Sequence, residues 1–167
     1  MGGQRLRDDD TAGTGGREVT GAATRIQFFV PGIPAPGGSK KYMGTYLKGG
    51  KRIPLIVDDA KHNASWRDIV AWTARREYRG VPLRGALQVS MEFIMPRPRS
   101  HYGKNVLKAN APGLHTVRPD LTKLVRSTED ALKGITWTDD SIIWDQHNTK
   151  HYGEIPGVKI TITQGGE

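Results

Sequence analysis

Three carboxylates bracket one stretch of this chain. Asp120 stands at its front and the pair Asp139-Asp140 near its close, in RPDLTKLVRSTEDALKGITWTDDS, from Arg118 to Ser141. Carboxylate oxygens are the hard donors that Mg²⁺ takes, and this ion keeps several waters, leaving room for phosphate oxygens beside one or two protein groups. Adjacent acids at the start of a strand suit such an ion. Each acid also has a plain structural use. Aspartate is a favoured N-cap whose charge suits a helix N-terminus, and an Asp pair suits a turn. Both uses stand open at this level. A helix that packs back on the strand after it would bring Asp120 near Asp140.

The elements that must position these acids are legible in the spacing. Leu121, Leu124, Val125, Thr128 and Leu132 recur at i, i+3, i+4, i+7 and i+11, a buried helical stripe. Pro119 disfavours helix at Arg118, so the helix begins around Asp120. Gly134 suits the position after its end, giving a helix over residues 121–133. Thr122, Lys123, Arg126, Glu129, Asp130 and Lys133 then lie on its other side. Upstream, IQFFV from Ile26 reads as a strand stopped by Pro31, followed by a Pro/Gly loop that ends in Lys40 and Lys41. YMGTYL and RIPLIV form two short strands around KGGK. A helix is expected over residues 59–78, and ALQVSMEFIM over residues 86–95 alternates as a strand with Glu92 pointing away from its apolar side. Strands from about Ser141 to His151 and over Val158–Thr163 complete the order. The expected class is α/β (α+β): a mixed β-sheet with two main helices packed on one face.

Residues 1–24 are rich in Gly, Thr, Asp and Arg and are expected to be a disordered tail, with one domain over residues 25–167. The net charge is +8 and the pI about 9.9. Four arginines and four acids cancel within residues 1–25, so the excess belongs to the domain. A basic domain with no membrane-length apolar run and no apolar leader points to a polyanion, usually nucleic acid, in the cytoplasm; a basic solvated surface with no specific partner is the alternative. The 167 residues include no cysteine, which excludes disulfides and thiolate metal sites. No phosphate loop of the P-loop type is present, so no nucleotide cofactor is implied. Scattered histidines without HExxH spacing argue against a histidine metal site.

Between Arg97 and Arg118 the chain carries Arg97, Arg99, Lys104, Lys108 and Arg118 and no acid. It reads as a mobile loop that tracks phosphates, with His101 and Tyr102 able to stack or hydrogen-bond; a merely solvated loop is the alternative. Lys40 and Lys41 carry the same expectation of phosphate contact. The four tryptophans, Trp66, Trp72, Trp137 and Trp144, read as core or interface anchors rather than platforms for bases.

The stretch from Asp120 to Ser141 resembles the RusA family of Holliday junction resolvases, often found in phages and prophages. The family pattern is Asp-x-Asp-Asn-Leu-x-x-Lys or a near variant, such as one with the lysine a place earlier, then Asp-Ala-Leu, then a short turn to Asp-Asp before a strand. Here it reads Asp120-Leu121-Thr122-Lys123-Leu124-Val125-Arg126, then Asp130-Ala131-Leu132, then Asp139-Asp140. FFVPGIPAPGGSKK, Trp66-Arg67, MEFIMPRPRSHY and YGEIPGVKITI extend the likeness over residues 26–163. The resemblance implies a homodimer that recognises four-way DNA junctions and nicks two strands symmetrically with Mg²⁺ or Mn²⁺. By position it implies Asp120 and Asp140 as catalytic metal ligands, with Asp139 beside them. Arg126 falls where the family has lysine, and its N–H donors suit a phosphate oxygen.

Thr122 departs from the pattern, because the family's second aspartate belongs there. Lys123 replaces the usual asparagine and adds positive charge beside the site, where it joins Arg118 among the residues expected to meet DNA. Both changes lower the expected metal affinity. Asp130, Asp139 or Asp145 supplies the missing ligand, or the enzyme is slow or needs more metal, or the protein binds junctions without cutting them.

Overall fold

The computed structural model describes the backbone of residues 24–37, 40–48, 51–58 and 63–165, and the side chains of residues 24–37 and 66–165. The expected tail lies outside these residues, except for Thr24, which opens the first strand. The elements run β1 (Thr24–Pro31), β2 (Lys40–Lys48), β3 (Lys51–Asp58), α1 (Asn63–Glu77), β4 (Leu87–Pro96), β5 (Tyr102–Gly103), β6 (Val106–Leu107), α2 (Leu121–Leu132), β7 (Ile143–Gly153) and β8 (Gly157–Gln164). Single 3₁₀ turns occupy Arg99–His101 and Asp140–Ile142.

The main sheet has four strands in the order β1-β8-β4-β7. β8 runs antiparallel to both β1 and β4, while β7 runs parallel to β4. Parallel neighbours need a long crossover, and the segment carrying α2 supplies it. Period-2 burial along β4 sends Leu87, Val89, Met91, Phe93 and Met95 to one side. There they meet Trp66, Val70 and Ala74 of α1 and Leu124, Val125 and Leu132 of α2. The expected class therefore holds: a mixed sheet with two helices, whose core lies between the helices and one sheet face.

The two helices are locked together where Trp66 Nε1–H donates to Thr128 Oγ1 at 3.3 Å, a buried bond. The stripe read from the sequence is inside, with Leu124, Val125, Thr128 and Leu132 buried and Leu121 packed against the core. Gly134 has φ +77°, the left-handed conformation glycine reaches most easily, and ends α2 as its position suggests. The chain then turns back, with Ile135 N–H and Thr136 N–H on the carbonyl of Leu132. Trp137 is thereby driven wholly into the core.

Residues 97–118 are more ordered than the expected mobile loop. Lys104 and Asn105, at φ +47° and +68°, form the tight turn of the β5–β6 hairpin; asparagine tolerates this conformation. Arg97 donates to the carbonyl of Pro112 at 2.8 Å and lies over the Tyr152 ring. Further on, Tyr152 N–H donates to Gly113 O and His115 N–H to Lys150 O, so the loop runs along the outer edge of β7. Long-range bonds from β7, absent from any local pattern, account for the difference.

Candidate nuclease site

Asp120 occupies the N-cap position of α2, as its residue type suggests, yet its side chain accepts no hydrogen bond from the helix N–H groups. The carboxylate instead faces Lys123 Nζ at 3.6 Å, one turn along. The backbone before it is fixed from β7. Lys150 Nζ donates to the carbonyls of Val117 at 2.8 Å and Pro119 at 2.5 Å. Burial pulls the Lys150 ammonium below its usual range, and the nearby Asp120 charge works the other way. Arg118, Thr122 and Arg126 are exposed around this end of the helix.

Asp140 lies beyond the other end of α2. Trp137 Nε1–H donates to its Oδ1 at 2.7 Å, so a wholly buried ring orients a partly exposed carboxylate. Asp139 has structural work of its own. It accepts from Ser141 N–H at 3.0 Å, capping the 3₁₀ turn, and faces Lys133 Nζ at 2.5 Å. The bond from Lys133 is the main reason its carboxyl is held below the usual range. Lys133 also stands 3.9 Å from Asp140.

Glu129 belongs to this end too, although its helical position placed it merely on the outer side. Gln146 of β7 donates to it at 2.5 Å. Its carboxyl is pushed above the usual range, first by burial and then by the charges of Asp140 and Asp130, while the bond from Gln146 opposes the shift. No motif marked Glu129, Lys150 or Gln146. Their role depends on α2 running back antiparallel along β7, so that Lys150 meets the start of the helix and Gln146 its last turn. Asp130 pairs with Arg67 of α1 at 3.5 Å, and Asp145 accepts from Gln88 at 3.1 Å. Glu92 points away from the core as expected, with His151 Nε2 at 3.5 Å.

The residues expected at DNA fall into separate groups. Lys40 and Lys41 open β2, and their side chains lie outside the described residues. Arg99 and Lys104 are exposed. Arg97 is engaged with Pro112 and Tyr152, so it supports the loop that carries the other cations. Lys123 faces Asp120.

A divalent cation fits this chemistry in its donors but not in one place. α2 has 12 residues, a length of about 18 Å, and it holds Asp120 at one end and Asp139-Asp140 beyond the other. Among the described residues, no group of three or more His, Asp or Glu side chains gathers around a point that could hold a metal. The same separation keeps Thr122, in the first turn of α2, apart from Asp140.

Residues 37–163 match the family model for endodeoxyribonuclease RusA. An uncharacterized protein of Bacillus subtilis (strain 168), YqaN, is similar at 27% identity over 142 residues, covering 83% of this chain and 96% of that protein. The family match takes in both ends of α2, the sheet edge beside it and the basic hairpin, which is most of the folded domain. On that span, this chain belongs to the RusA family of endodeoxyribonucleases.

Proposed function

We propose that this protein is a structure-selective endonuclease that resolves four-way DNA junctions by paired, symmetric nicks, acting as a homodimer with Mg²⁺ or Mn²⁺. The observation that carries the reading is Asp120: an acid in the capping position whose carboxylate caps nothing. A residue that structure alone required would satisfy the N–H groups of α2. This one is turned outward among cations, where a phosphodiester would sit. Asp140 is the second acid, aimed by Trp137, and Asp139 stands beside it. When bound, a divalent cation would lower the pKa of a water and offset charge on the phosphate under attack. Arg126 supplies N–H donors for a phosphate oxygen. Exposed cations of the hairpin, together with Lys40 and Lys41, meet the DNA backbone and set a steep salt dependence. No helix among the described residues is long and apolar enough to cross a membrane, and the proposed place of action is the cytoplasm.

A second reading is a junction-binding protein with weakened cleavage. Thr122 favours it, since the first turn of α2 carries no second acid. The test is an end-labelled mobile four-way junction incubated with Mg²⁺ or Mn²⁺, beside Asp140→Asn and Thr122→Asp variants. Paired nicks that fall by more than about 100-fold in Asp140→Asn support the resolvase; loss of an outer-shell partner alone costs 10–100-fold. Tight junction binding without nicks, with cutting restored by Thr122→Asp, selects the second reading.

A further inference from the structure

An apolar pocket of about 490 Å³ opens at the Asp120 end of α2, within the size range usual for ligand sites. The buried Trp66, Pro34, Ala35 and Met95 form its floor, and the more exposed Ile33, Ile69 and Pro119 form its rim. The Pro/Gly loop that makes one wall is held at both ends. Gly32 N–H donates to Pro156 O and Gly37 N–H to Lys123 O, each at 3.1 Å, and Gly37 lies against Ser127 of α2. The wall is thereby fixed to the helix that carries Asp120. Pro119 of the rim immediately precedes that acid, so the two Cα atoms are about 3.8 Å apart.

The chemistry of the pocket limits what can fill it. Among the described residues its lining side chains are all apolar, and the one side-chain N–H, on Trp66, is already given to Thr128. Charge begins at the rim. Arg118 precedes Pro119, Lys123 faces Asp120, and Lys40 and Lys41 follow the loop in sequence. An apolar peptide would suit the floor and leave the cations unused. A nucleotide suits both, with the apolar face of its base and a phosphate one sugar away. Enzymes that work on nucleic acids draw bases out of the stack into such pockets, and the cost is least where pairing is already broken, as at the exchange point of a four-way junction.

We infer that this pocket receives one unstacked nucleobase, the base flanking the phosphodiester at Asp120, and that it selects that base by shape. The inference rests on the proposed nuclease reading for the DNA and on the pocket alone for the base. Apolar contact with Trp66 and the prolines replaces the stack that the base leaves. With no free side-chain N–H or O–H inside, the site responds to the size of the base and not to its hydrogen-bonding edge.

The test reads binding apart from cutting. Affinity for a labelled four-way junction is measured by fluorescence anisotropy without divalent metal. Ile33→Ser strips the rim, and Ala35→Leu fills the floor. Ile33 is 63% exposed, so its variant keeps the test open should Ala35→Leu fail to fold. Each is compared with wild type on the intact junction and on junctions carrying one abasic site, moved a nucleotide at a time through the exchange point. Both variants should weaken binding of the intact junction about 10-fold, the scale of one base contact. That loss should vanish when the abasic site occupies one particular position in an exchanging strand. At that position, a C5-methyl group on a pyrimidine should change wild-type affinity more than inosine in place of guanine; the reverse order overturns selection by shape. A loss that persists at every abasic position, or variants that weaken self-association of the protein and leave DNA affinity unchanged, overturns the base pocket. Mg²⁺ or Mn²⁺ is then added. Paired nicks without any base-dependent loss leave the nuclease reading standing and sink the pocket. A base-dependent loss in a protein that never nicks sinks the nuclease reading and leaves the pocket.

Discussion

The two ends of α2 hold their acids in opposite ways. At the Asp120 end the backbone is clamped and the carboxylate is loosely held. Lys150 grips the carbonyls on either side of Arg118, while the acid faces Lys123 at 3.6 Å and feels the Lys150 charge nearby. At the Asp140 end the carboxylate itself is gripped, by Trp137 at 2.7 Å, and other acids crowd around it. One end therefore suits an anion that arrives among cations. The other suits a cation that relieves repulsion among carboxylates. On the proposed nuclease reading, these are the phosphodiester and the divalent ion that the reaction has to bring together.

Breaking the gripped end should have the largest effect. Trp137 is fully buried and its ring both fills the core and aims Asp140. Trp137→Ala should cost about 3–5 kcal/mol in unfolding free energy, the usual cost of emptying a large aromatic from a core. Denaturant titration measures it; a loss under about 1 kcal/mol would mean that the indole does not anchor this turn. Breaking the clamped end should cost less. Lys150→Met keeps the apolar stem but leaves two carbonyls without their donor, a loss of about 2 kcal/mol. Its diagnostic signature is a fall in nicking greater than the fall in junction affinity, since Asp120 is misplaced while the basic surface remains. Equal losses of both would make Lys150 a DNA contact rather than a clamp.

The asymmetry between the ends was only half visible in the sequence. Periodicity identified α2, its stripe and the glycine that ends it, because those depend on neighbours a few residues apart. Alternation likewise identified β4 and its inward face. What no local pattern could carry was the insertion of β8 between β1 and β4, which leaves β7 at the edge. Nor could it carry the antiparallel return of β7 under α2. The acids themselves were found by type and spacing, but their separation is a property of that return. Glu129 and Lys150 were missed for the same reason: each acquires its partner from an element more than a dozen residues away. The basic loop misled in the opposite direction. Its composition read as mobile, and bonds to β7 tie part of it down.

The smallest expected effect also discriminates most finely between the two ends. Glu129 has a carboxyl raised above its ordinary 4.5, chiefly by burial and then by Asp140 and Asp130. A raised acid binds its proton more tightly folded than unfolded. Its favourable contribution is complete below the unfolded pKa and is lost as pH rises through the folded one. At neutral pH the ionised group is therefore a burden on the fold. Glu129→Gln keeps an acceptor for Gln146 and removes that burden. The variant should gain stability over wild type, by less than about 1 kcal/mol because the side chain is half in water and its charge is screened. The gain should grow as pH rises from about 4.5, and raised salt should shrink the part due to Asp140 and Asp130. Thermal melts over that range measure it. A gain that is flat with pH would place the acid in ordinary solvent, outside the crowd around Asp140. A loss at neutral pH would mean that the charge is held by a partner rather than opposed, and the contrast between the two ends would then vanish.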